Sequence, residues 1–137
     1  MNASHGALHH VELWVRELDT AEHSLGWLLL ALGYEEYERW GRGVSYRLGA
    51  TYIVLEASPA VRGEHDRKRA GLNHLAFHVN TADEVESLVR KAAGQGWTLM
   101  FADRHPHAAG PDRHVAYLED PDGFEVELVA RDKTAEP

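Results

Sequence analysis

Alternation of apolar and polar positions organises this chain. In residues 72–79, LNHLAFHV, Leu75, Phe77 and Val79 fall on one side while His74 and His78 fall on the other. That is the period of a half-buried strand. Residues 8–15, LHHVELWV, carry the same pattern, with His10 matching His74, Val11 matching Leu75, Leu13 matching Phe77 and Val15 matching Val79. A helical period follows each copy. Asp19-Thr20-Ala21-Glu22 reads as a capping box with Asp19 as N-cap, opening a helix over 19–32 that turns Leu25, Leu28, Leu29 and Leu32 inward and stops at Gly33. Thr81-Ala82-Asp83-Glu84 opens the second helix, 81–94, with Val85, Leu88, Val89 and Ala92 on one face and Gly94 or Gly96 as its stop. Three strand candidates follow each helix: 34–40, 44–48 and 51–57, then 97–101, 114–119 and 124–130.

The spacing therefore predicts an α+β domain over 1–137 built from two βαβββ modules, one at about 8–58 and one at about 71–130. Helices are expected on the outer faces of curved sheets that form a cup, because one helix cannot cover both faces of a sheet. Residues 59–70 read as a charged linker, 102–113 as a long loop and 131–137 as a disordered polar tail.

Composition narrows the function. A formal charge of −8 argues against nucleic acid or an anionic membrane surface as a partner. The chain has no cysteine, so thiolate zinc sites and cysteine nucleophiles are excluded. The N-terminal residues lack an apolar signal core and no run is long enough to span a bilayer, so the expected location is cytoplasmic. The ten histidines are the unusual count, and position decides which of them matter.

The turn Asp120-Pro121-Asp122-Gly123 leads into FEVELV, where Phe124, Val126 and Leu128 share one face and Glu125, Glu127 and Val129 the other. In 51–57, Ile53 and Leu55 take the core face, opposite Tyr52, Val54 and Glu56. Each module thus offers a histidine from its first strand and a glutamate from its last: His10, Glu56, His74 and Glu127. Two imidazoles and two carboxylates suit one borderline divalent transition metal, with coordination positions left over for a small-molecule substrate. Trp14, His78, Tyr117 and His105 are weaker candidates for contact with that substrate.

LHHVELWV with its DTAE helix start, LNHLAFHV and YLEDPDGFEVELV resemble the vicinal oxygen chelate superfamily, also called the glyoxalase/bleomycin resistance/dioxygenase superfamily. The resemblance covers about residues 8–130. It implies paired modules around a cup-shaped site, with His10, His74 and Glu127 at the usual ligand positions and Glu56 at the fourth position of glyoxalase I-like members. Dioxygenase and fosfomycin-resistance members usually use three ligands, and members that only bind drugs generally lack them. It further implies one ion of Ni, Co, Zn, Mn or Fe, a lyase or isomerase in which Glu127 or Glu56 moves a proton, and a homodimer. The alternatives are a metal-free protein that sequesters a drug or aromatic metabolite, and an extradiol-type dioxygenase.

Overall fold

The computed structural model describes residues 4–131. The expected disorder of the tail concerns, from residue 132 on, positions outside the described residues. The chain divides into two compact units, Met1–Glu64 and His65–Pro137. Each is a four-stranded sheet with helical structure against one face, so the fold class is α+β as the periodicity predicts.

In the first unit, β1 (His10–Trp14) is followed by α1 (Leu18–Ala21), a π-helical stretch (Glu22–Gly26) and α2 (Trp27–Ala31). β2 (Glu35–Trp40), β3 (Gly43–Leu48) and β4 (Thr51–Glu56) then complete a sheet ordered β1-β4-β3-β2. β1 runs parallel to β4, and the other pairs are antiparallel. Leu13, Val15, Val44, Tyr46, Ile53 and Leu55 are buried together with Leu25, Leu28 and Leu29 of the helical run. Each such aliphatic side chain contributes roughly 1.5–3 kcal/mol when taken fully out of water. Gly33 takes φ +102° and ends the helix as expected, and Gly49 takes φ +61° in the tight β3–β4 turn.

The helix start differs from the expectation. Glu17, not Asp19, is the N-cap, and it makes no side-chain cap bond. Asp19 lies inside the first turn, where its charge complements the helix dipole.

The second unit repeats the plan with β5 (His74–Val79), α3 (Ala82–Ala92), β6 (Thr98–Met100), β7 (Val115–Glu119) and β8 (Glu125–Ala130), ordered β5-β8-β7-β6. Here the capping expectation holds: the Thr81 hydroxyl accepts from the Glu84 amide at 3.0 Å. Val85 and Ala92 of α3 are buried with Leu118, Val126 and Leu128. The Asp120–Gly123 turn is fixed by the Asp120 carboxylate, which accepts from the amides of Asp122 (3.0 Å) and Phe124 (2.9 Å). The linker is shared between the units. Glu64 meets Arg16 at 3.1 Å, whereas Arg67 bridges Glu119 at 2.6 Å and Glu125 at 3.1 Å.

Candidate metal centre

Strand register decides which polar residues meet. In the second unit, His74 stands opposite Glu125 and Ala76 opposite Glu127, while Tyr117 pairs with Glu127 from β7. His74, Glu127 and Tyr117 therefore share the face of the sheet turned away from its apolar core. His74 Nε2 lies 3.2 Å from Glu127 Oε1. His74 Nδ1 lies 2.6 Å from Asn73 Oδ1, and the other end of that amide donates to the Arg67 carbonyl at 3.1 Å. This network orients the amide, so Nδ1 carries the donated proton and Nε2 faces the carboxylate. The Tyr117 ring meets the imidazole edge-on at 6.0 Å. Burial, then the charge of Glu127 and a hydrogen bond to its carboxylate, hold the Tyr117 hydroxyl above its usual range. His78 lies on the same face, exposed, opposite Val129.

The first unit differs in register. His10 stands opposite Tyr52, Glu12 opposite Val54 and Trp14 opposite Glu56. His10 and Glu56 thus share a face but lie four residues apart along the ladder, about 13 Å at ~3.3 Å per residue. The same offset for His74 and Glu127 is two residues. The residue standing two positions on from His10 is Val54, so the expectation that both modules offer one matched pair meets a two-residue difference. Glu56 has its own partner: the Trp40 indole N–H donates to it at 2.8 Å. That indole lies across Gly43, where an added methyl would stand 2.6 Å from the ring. His10 stacks flat on Tyr52, ring centroids 4.8 Å apart. Trp14 is 45% exposed and donates to Glu12 at 2.8 Å.

His105, expected as a substrate contact, lies 2.9 Å from Glu86 of α3. Sequence reasoning missed Asn73 and Glu86. Asn73 stands next to His74 in the quoted motif, and an amide beside a candidate ligand is the signal that could have found it. Among the described residues, no three His, Asp or Glu side chains stand ready-spread around a common ion position.

The Glyoxalase/Bleomycin resistance protein/Dioxygenase superfamily profile matches residues 9–117. The chain belongs to this superfamily. An uncharacterised protein, YqjT of Bacillus subtilis (strain 168), is 39% identical over 125 residues, covering 90% of this chain and 98% of that protein. A candidate glyoxalase of Bacillus halodurans, solved by crystallography, is 42% identical with a TM-score of 0.87, over 92% of this chain and 96% of that one. A mutant fosfomycin resistance protein of Listeria monocytogenes, complexed with Mn(II) and a dihydroxypropylphosphonic acid, shares the superfamily fold at 17% identity and a TM-score of 0.64, over 95% of this chain and 94% of that one.

Proposed function

We propose that the chain is a metal-dependent enzyme of the vicinal oxygen chelate type, a glyoxalase-like lyase or isomerase acting on a small oxygen-bearing substrate. The His74–Glu127 pair carries this reading. The imidazole Nε2 lies 3.2 Å from a carboxylate oxygen, and the Asn73 amide holds Nδ1 on the other side of the ring. Two acceptors at that spacing repel unless a proton or a cation lies between them. The spacing also suits two ligands each about 2.1 Å from one first-row ion. One imidazole and one carboxylate fit the borderline divalent metals Mn, Fe, Co, Ni and Zn.

The family resemblance implies His10 as a further ligand. Glu56 stands outside the set because of its register and its Trp40 partner. A bound divalent ion supplies a Lewis acid to substrate oxygens. Asn73 holds the His74 ring in one orientation. Glu127 accepts a proton from the substrate carbon and returns it to a neighbouring position. Tyr117, which stays protonated, keeps a donor hydrogen bond on Glu127 and steadies the carboxylate between those transfers.

Elemental analysis of protein purified without a histidine tag, followed by assay of lactoylglutathione formation from its hemithioacetal and of oxygen uptake with ferrous iron, tests the reading. Bound divalent metal with turnover and no oxygen consumption is the expected result. Oxygen consumption would replace it with the extradiol reading, and tight binding of an aromatic ligand by metal-free protein with the sequestration reading.

A further inference from the structure

The second unit carries another group of ligating side chains, on the opposite side of its sheet from His74 and Glu127. Glu86 projects from α3, the helix that covers the apolar face. His114 precedes Val115 at the start of β7, and by alternation it falls on that same helix side. His105 reaches in from the loop between β6 and β7. Both imidazoles direct Nε2 at one oxygen, Glu86 Oε2, at 2.9 Å from His105 and 2.7 Å from His114. The two histidine side chains are 14% and 25% exposed, so the group is partly withdrawn from water but not sealed.

We propose that Glu86, His105 and His114 form a second divalent-cation site, of the zinc class, that fastens the β6–β7 loop to α3. The argument is one of donor type, spacing and support. Two imidazoles and a carboxylate are an established zinc donor set, and with no cysteine in the chain nitrogen and oxygen donors are what remain. The three side chains bond to one another, both imidazoles to Glu86, rather than standing in ligand geometry. Ligands about 2.0 Å from a tetrahedral ion lie about 3.3 Å apart, so the three groups must give up their hydrogen bonds and rearrange to take an ion between them.

The backbone is braced for it. Val115 donates to the Pro106 carbonyl at 2.9 Å and Ala130 to the His114 carbonyl at 3.0 Å, which ties both histidine-bearing segments to the sheet. Turns closed by Arg104 on Phe101 (2.9 Å) and His107 on Arg104 (2.7 Å) shape the loop between them. Glu86 is 34% exposed, which leaves a path for the ion and a fourth position for water.

Zinc equivalents retained after gel filtration test the proposal, compared between wild type, the double variant His105→Asn/His114→Asn, and His74→Ala. The double variant should hold one zinc per chain fewer than wild type, whereas His74→Ala should keep the ion held by Glu86, His105 and His114. The loss is read the same way whether or not His74 and Glu127 hold an ion of their own. A second measurement on wild type needs no variant: long-range imidazole nitrogen–proton NMR should move the His105 and His114 Nε2 resonances when zinc is added. Equal zinc content in wild type and the double variant, or Nε2 resonances of His105 and His114 that do not move, would overturn it.

Discussion

Gly26 and Tyr46 illustrate how a single position constrains the first unit. A methyl added at Gly26 would stand 2.5 Å from the Tyr46 hydroxyl. Gly26→Ala should therefore destabilise the protein by about 1–3 kcal/mol, the usual cost of overpacking. Urea unfolding measures this, and Gly26→Ala/Tyr46→Phe should recover part of the loss because the clashing oxygen is gone. Tyr46 also makes the unit sensitive to alkali. Burial, followed by the charges of Glu22 and Glu36, pushes its hydroxyl up from 10.0 to about 12. The folded state then holds a proton that the unfolded chain releases, so this contribution is intact below pH 10 and fades as pH rises toward about 12. Stability of wild type should fall more steeply across that window than stability of Tyr46→Phe. The burial of Tyr46 could not be read from its strand, because Val44, Ser45 and Tyr46 are all buried and alternation loses its meaning there.

At the scale of elements, two nearly identical patterns behave differently. Thr81 caps α3 through its hydroxyl, and Thr81→Ala should cost about 1 kcal/mol while Thr81→Ser keeps most of it, as thermal unfolding would record. Asp19 in the first copy caps nothing. An acid followed three residues later by Glu is favourable both as a cap and within a first turn, so the pattern leaves the start of that helix open by a residue or two. The π-helical stretch Glu22–Gly26 was equally hidden, since the leucine spacing fits an ordinary helix. The strands were legible to within a residue or two, because alternation and Gly turns bound them. Arg67 was not: in sequence it belongs to a charged run, yet it bridges Glu119 and the buried Glu125. Arg67→Ala leaves Glu125 without that partner and should destabilise the fold by roughly 3 kcal/mol, at the low end for a buried pair. A chemical unfolding curve would show no such loss if the bridge contributed nothing.

At the scale of the whole molecule, the internal repeat revealed the two modules, and the motifs around His74 and Glu127 pointed to a pair that meets at 3.2 Å. What the repeat could not convey was pairing register. A two-residue difference between β1–β4 and β5–β8 sets Val54 where parity suggested a glutamate, and only the ladder reveals it. The assembly expected from the family resemblance, a homodimer, predicts sedimentation as a dimer at ~10 μM, a concentration at which weak dimers dissociate. The metal centre is the central claim. Equilibrium dialysis against Mn(II) and Ni(II) of wild type, His74→Ala and Glu127→Gln measures it most directly. At the His74–Glu127 site the account predicts one tightly held ion per chain in wild type, lost in His74→Ala and strongly weakened in Glu127→Gln, beside any ion at Glu86, His105 and His114 that these variants leave in place. Wild-type protein that retains neither ion, or variants that retain as much as wild type, would contradict it.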